Sequence, residues 1–113
     1  MSVERGFGTA VVRGRSMAPT LSDGDLLLIS YGRIPKPGQL VLVRLPGGRP
    51  LSVKRAAHQT EDGWWIERDN PSEGVDSWVV GAIPDRDIVA VVRCRLWPPR
   101  PMRRWRGPAT KPS

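Results

Sequence analysis

Cysteine and histidine are nearly absent from this 113-residue sequence, which has one of each. These counts exclude an internal disulfide framework and a zinc site built from cysteine and histidine ligands. No apolar run approaches the roughly 18 residues that a membrane-spanning helix needs. The first ten residues also lack the apolar stretch of a secretory signal. We therefore expect a single cytoplasmic domain that needs no metal and no cofactor.

Acidic residues are missing from one end of the chain. Residues 1–92 contain eleven basic and eleven acidic side chains, whereas residues 93–113 contain seven basic ones and no acidic one. The stretch 98–113 also has five prolines and little apolar material, so it is predicted to be a disordered basic tail. Such a tail could keep the protein soluble, or it could bind an acidic partner or nucleic acid with Trp105 as a stacking ring.

Helical periodicity is absent from the remaining sequence, which instead contains short runs rich in Val, Leu and Ile. Gly, Pro, Asp or Arg bounds each run, and this pattern predicts seven strands. Their ranges are 9–14, 25–31, 39–45, 51–59, 64–68, 78–83 and 88–96. At most one helical turn is expected, at residues 19–22. The sequence thus predicts an N-terminal lead at 1–8 and a small, twisted, mostly antiparallel all-β domain at 9–97.

A serine follows the first predicted strand at a point where the backbone must turn sharply. Gly14 relaxes the backbone before Ser16, and Pro19 fixes it afterwards. A serine on such a turn can expose its hydroxyl and direct its own N–H at a carbonyl, which is half of an acyl-transfer site. An ordinary strand-to-loop connection with a hydrogen-bonding serine has the same pattern.

A nucleophilic serine needs a base, and the only histidine, His58, has no Gly-x-Ser-x-Gly elbow to accompany it. The alternative is a lysine whose pKa is lowered by burial. Lys36 and Lys111 lie in a proline-flanked turn and in the tail, where both should be solvated. Lys54 lies in a strand of mostly small or apolar residues. It points either inward or to the surface beside Arg55.

Four sequence blocks, in this order, resemble the signal peptidase type of serine protease over residues 9–97. They are Gly-x-Ser-Met-x-Pro-Thr-Leu with Gly-Asp behind it, Pro-x-x-Gly-Gln-Leu-Val-Leu-Val, Val-Lys-Arg, and Arg-Asp-Asn followed by Asp-Ser. The resemblance implies the all-β fold shared with the self-cleaving domains of LexA-type repressors. It also implies a dyad in which Ser16 is the nucleophile and Lys54 is the general base.

The resemblance gives further residues supporting roles. The backbone N–H of Ser16 would stabilise the oxyanion, and Met17 would pack beneath the turn and shield Lys54. Gly14 stands where some signal peptidases have a serine that supplies a second oxyanion donor, so that donor is missing or replaced here.

The fourth block departs from the family pattern at three positions. Arg68 replaces the usual glycine, Trp78 replaces the usual arginine, and Gly74 replaces a serine that helps to orient the lysine in some relatives. We expect the four matching residues to support the site without taking part in the chemistry. They are Asp69, Asn70, Asp76 and Ser77.

Two absences narrow the choice within this class. The sequence lacks the membrane spans of housekeeping signal peptidases, and the fifteen residues before Ser16 are too few for the DNA-binding domain of a LexA-type repressor. The chain most resembles the maturation proteases associated with nickel-type superoxide dismutase. That resemblance implies a precursor protein as the partner, from which a short N-terminal leader is removed, and no nucleic acid.

Two other functions are compatible with the sequence. One is signal peptidase-like processing of secreted preproteins. The other is a basic β-barrel module that binds nucleic acid through the tail and through exposed tryptophans such as Trp64 or Trp65.

Overall fold

A computed structural model describes residues 6–102, which form one antiparallel sheet with very little helix. The strands are β1 (Gly6–Val11), β2 (Leu26–Tyr31), β3 (Leu40–Val43), β4 (Ser52–Thr60), β5 (Gly63–Glu67) and β6 (Ile88–Trp97). One helical turn, α1, covers Ser77–Val80, and a 3-10 turn covers Asp85–Asp87. The predicted all-β, mostly antiparallel fold is confirmed. Within residues 6–102, no helix has the length and apolar character to cross a membrane.

The strand order places β1 and β4 far apart in the sheet, and the curvature of the sheet brings them toward each other. The order is β1-β2-β6-β3-β4-β5, so three strands separate β1 from β4. In a flat sheet, four strand spacings would put β1 and β4 about 19 Å apart. Yet the loop that follows β1 contacts a side chain of β4 directly. The sheet must therefore curve strongly, and its concave side brings together residues that lie far apart in the sequence.

The core lies on both faces of the curved sheet. All four residues of β3 are buried, and alternate residues belong to two different apolar clusters. Leu42 packs in the first cluster with Met17, Leu27 and Val53, whereas Val41 and Val43 pack in the second. A strand covered on both faces reads as a continuous apolar run, which explains the Leu-Val-Leu-Val sequence.

The strand predicted at 78–83 is wrong. Residues Ser77–Val80 instead form α1, whose N-terminus is capped by the Asp76 carboxylate accepting from the backbone N–H of Trp78. Gly81, with a φ of +81°, ends the helix. Only Ile83 joins the sheet, through an isolated bridge to Trp64. The apolar run Trp-Val-Val suggested a strand, but the Asp-Ser pair before it is a helix-starting signal that outweighed it.

The first strand differs from the predicted one at both ends. It begins at Gly6 and ends at Val11, so residues 6–8 of the predicted lead belong to the sheet.

Trp64, which was expected to be exposed, is buried in the second cluster with 3% of its surface exposed. Its strand is bridged by Ile83, and Gly63 makes room for that contact, since an added Cβ would lie 2.0 Å from the Ile83 carbonyl oxygen.

A buried arginine on β6 ties three parts of the chain together. Arg95 Nε lies 3.0 Å from Asp25 Oδ2, and Nη2 donates to the Thr20 carbonyl at 2.6 Å. Its Nη1 donates to the carbonyls of Arg100 and Pro101 at 3.1 and 3.3 Å. The first residues of the predicted tail, 98–102, therefore contact the domain. Residues 103–113, including Trp105 and its predicted partner-binding role, lie outside the described part.

We expect the Arg95 ion pair to contribute strongly to stability, because removing it leaves the Asp25 carboxylate buried without its cation. Arg95→Met should lower the free energy of unfolding by about 3–5 kcal/mol, measured by urea denaturation at pH 7. Arg44→Met is the matched control, since Arg44 is 58% exposed and lies 3.6 Å from Asp87. That change should cost less than about 1 kcal/mol. Equal losses in the two variants would contradict this ranking.

Candidate active site

The loop that carries Ser16 is closed at its base. The backbone N–H of Val12 donates to the Asp25 carbonyl at 2.9 Å, so the chain leaves β1 and returns to β2 at the same point. Gly14 has a φ of +81°, a conformation that side-chain-bearing residues rarely adopt. The loop 12–25 thereby turns toward β4, with Ser16 half-buried.

Lys54 on β4 reaches this serine. Its Nζ lies 2.7 Å from Ser16 Oγ, a hydrogen-bond distance, and only 3% of the lysine surface is exposed. The register pairs Lys54 with Val41 of β3, which offers the amine no charge. The two residues singled out from the sequence are thus in direct contact, although 38 positions separate them.

Burial changes the protonation of this lysine. Loss of hydration lowers the pKa of Lys54 from 10.5 to about 8, because the charged amine is less stable away from water. The Asp76 carboxylate acts in the opposite direction, and the Arg68 guanidinium assists the lowering. An amine with a pKa near 8 is neutral in a useful fraction of molecules near neutral pH, as a general base must be.

Two of the predicted support residues, Met17 and Asp69, contact each other. Met17 is 1% exposed within the first apolar cluster, and its sulfur accepts from the Asp69 N–H at 3.4 Å. The Asp69 carboxylate accepts from Thr20 Oγ1 at 2.5 Å and forms an ion pair with Arg55 Nη2 at 2.6 Å. Arg55, which points to the opposite face of β4 from Lys54, therefore supports the site through Asp69, and the sequence did not indicate this role. The shielding of Lys54 by Met17 stays a prediction.

Asn70 holds the backbone of Ser16 in place. Its N–H donates to the Ser16 carbonyl at 2.8 Å, and its side-chain amide donates to the Arg15 carbonyl at 2.9 Å. These bonds join the loop 68–76 to the loop 12–25 at Ser16. The residue acts on Ser16 through the main chain.

Asp76 and Ser77 hold α1 against the end of β5. Asp76 is fully buried, and its two oxygens accept from the N–H groups of Trp78 and Arg68 at 3.1 and 3.0 Å. Ser77 Oγ accepts from the Ile66 N–H at 2.8 Å. Asp76 also acts on the Lys54 amine through its charge.

Two glycines lie next to the dyad in different surroundings. Gly74 has a φ of +93°, and a Cβ added to it would lie 2.5 Å from Ser16 Cβ. A serine at this position, as in some signal peptidases, would therefore not fit against Ser16. Gly14 is the reverse case, since nothing lies within 4 Å of an added Cβ. It has no side chain to donate to an oxyanion and leaves open space there.

An open groove of about 660 Å³ gives access to the pair. One wall is the end of β1 with the loop that follows, and the other is the segment 49–54 that enters β4. Its lining is mainly aliphatic, from Val11, Val12, Leu42, Leu45, Leu51, Val53 and Val75. A groove of this shape and character suits an extended, mostly apolar peptide segment.

A serine hydroxyl beside a buried amine, both lining an open groove, is compatible with a serine peptidase site. The model of the Peptidase S24-like family matches residues 4–93, and the chain belongs to this family. Membership supports a hydrolase of the serine peptidase type. No curated protein matches the chain.

The lowered pKa of Lys54 can be measured directly, because the chain has only three lysines. In protein labelled with ¹³C-lysine, the Cε resonance of Lys54 should titrate with a midpoint of about 8. The reference is the ordinary lysine value of about 10.4. The Lys54→Met variant assigns the resonance. A Lys54 midpoint at that ordinary value would contradict the buried amine.

The burial of Lys54 should also make the free energy of unfolding depend on pH. Between pH 8 and 10.5 the unfolded chain holds the Lys54 proton more firmly than the folded chain, so stability rises with pH over this window. The difference in pKa corresponds to a gain of about 3 kcal/mol in the free energy of unfolding. We expect wild type to show this gain relative to Lys54→Met in urea titrations. Lys36→Met should behave as wild type, and an equal pH response in Lys54→Met would refute the effect.

Proposed function

We propose that the chain is a serine endopeptidase that uses a Ser16–Lys54 dyad. The contact of 2.7 Å between the buried amine and the hydroxyl carries this proposal. With the amine neutral, the Nζ lone pair accepts the hydroxyl proton while Oγ attacks the substrate carbonyl carbon. Lys54 then gives that proton to the leaving amine as the peptide bond breaks. Water hydrolyses the acyl ester, with Lys54 again as the base.

The groove and the sheet edge together suggest how a substrate lies. β1 is the end strand in the sheet order, so no strand of residues 6–102 pairs with its outer edge, where a further strand could add. A peptide that adds beside residues 9–13 would gain backbone hydrogen bonds and run toward Ser16. Small side chains at the cleavage position would let the scissile carbonyl approach the hydroxyl. The aliphatic lining would hold the segment before the cut.

The proposed substrate is a precursor protein with an N-terminal leader, namely the precursor of nickel-type superoxide dismutase. The resemblance of the chain to the maturation proteases associated with that enzyme supports this choice. The mainly apolar groove is compatible with an extended leader, and cleavage would free a new amino terminus. The backbone N–H of Ser16 would stabilise the oxyanion in this reaction.

Incubating the purified chain with the dismutase precursor, and sequencing the new amino terminus, tests the proposal. Ser16→Ala and Lys54→Met should each lower kcat/KM by at least about a thousandfold, because each removes one half of the proton transfer. The wild-type kcat/KM should rise with pH with a midpoint of about 8, as Lys54 loses its proton.

Exposed residues of the same types provide matched controls. Ser72→Ala and Lys36→Met should cleave as wild type. Full activity of Lys54→Met would refute the dyad. Cleavage of a secreted preprotein but not of the dismutase precursor would overturn the substrate and leave the chemistry standing.

A further inference from the structure

Arg68 occupies a central position in the loop that faces the dyad. It directly follows β5, and its backbone N–H donates to Asp76 Oδ2 at 3.0 Å. Its side chain is 18% exposed and returns to the same carboxylate, with Nε 3.7 Å from Asp76 Oδ2. Its Nη1 donates to the Gly74 carbonyl. One side chain therefore joins the first residue of the loop 68–76 to two residues at its far end.

The part of the loop that Arg68 holds is the part that touches the nucleophile. Gly74 packs so closely against Ser16 that an added Cβ would lie 2.5 Å from Ser16 Cβ. The contact is made by main chain, so the position of the Gly74 peptide decides how Ser16 is confined. The hydrogen bond from Arg68 to the Gly74 carbonyl fixes that peptide.

Arg68 also determines the net charge that the loop presents to the amine. Asp76 is fully buried and favours the protonated form of Lys54, whereas Arg68 opposes it. The other charged groups of the groove wall are Arg13, Arg15 and Asp23 in the loop 12–25, Arg49 before β4 and Glu73 in the loop 68–76, and Val41 on β3 is uncharged. Asp69 is paired with Arg55, whose side chain is 6% exposed. Asp76 and Arg68 are the two charges that act most strongly on the amine.

We propose that Arg68 is a positioning residue of the dyad, which holds the Gly74 peptide against Ser16 and offsets the Asp76 charge near Lys54. This inference rests on the proposed peptidase function. Arg68 stands where the motif has glycine, so the contacts that it makes with Gly74 and Asp76 are ones that a glycine at this position could not make with a side chain.

The direct test measures the Lys54 titration and needs no substrate. In full-length protein labelled with ¹³C-lysine, Arg68→Met and Arg68→Gln should raise the Lys54 midpoint by about one pH unit, because the Arg68 charge no longer offsets that of Asp76. Arg68→Lys keeps the charge and should shift the midpoint by less than half as much. Arg44→Met, which changes an exposed arginine, should leave it unchanged. Amide spectra establish that each variant is folded, and the glutamine variant can still donate to Gly74 if the methionine variant does not fold.

A second arm separates the charge from general damage to the structure. Combining Arg68→Gln with Asp76→Asn removes both charges and should return the Lys54 midpoint toward the wild-type value. In cleavage assays the pH profile of kcat/KM for Arg68→Gln should move upward by the same amount as the resonance. A purely structural role would lower the rate at every pH without moving the profile.

The outcomes distinguish this inference from the peptidase proposal. An unchanged Lys54 midpoint in a folded neutral variant would overturn the role of Arg68, even if Ser16→Ala abolishes cleavage. A shift in Arg68→Lys as large as that in Arg68→Gln would overturn the charge argument. If wild type cleaves no precursor, the titration still decides whether Arg68 controls the amine.

Discussion

The structure depends on keeping a lysine amine away from water and against a serine hydroxyl. An unpaired charge in the interior is costly, so the protein must both bury Lys54 and let it lose its proton. The curved sheet buries Lys54, since its curvature brings the loop after β1 onto β4 and apolar clusters cover both faces of β3. The partner hydroxyl gives the amine a hydrogen bond that survives in either protonation state.

Two buried arginines hold the loop 12–25 in place through hydrogen bonds and ion pairs. Arg55 reaches it through Asp69 and the Thr20 hydroxyl, and Arg95 reaches it through the Thr20 carbonyl and Asp25. The same threonine is therefore held from two strands that belong to different parts of the sheet. A reacting group needs to be placed within about half an ångström, and supports of this kind provide that placement on an irregular segment.

Most of the fold could be predicted from short β-branched runs, which indicated six of the seven strands correctly. The residue pattern alone left the roles of Ser16 and Lys54 open, and the resemblance of four sequence blocks to signal peptidases pointed to the pair that the structure brings into contact. Residues 78–83 were misread because a short apolar run carries no clear period, whereas the capping Asp76 decided the outcome. The partners of Arg55 and Arg95 are brought close by strand pairing, since Arg55 pairs with Glu67 beside Asp69 and Arg95 pairs with Leu27 beside Asp25. Arg68 meets Gly74 and Asp76 through the conformation of one loop, and no periodic pattern in the sequence indicated any of these contacts.

The contacts of Arg95 also set the C-terminal limit of the folded unit. The same nitrogen that binds the carbonyls of Arg100 and Pro101 belongs to the group that holds Thr20 and Asp25. A chain trimmed after Trp97 would lose those acceptors and expose the buried guanidinium to water. The autonomous folding unit therefore extends several residues past its last strand, and a fusion partner is best joined beyond Met102.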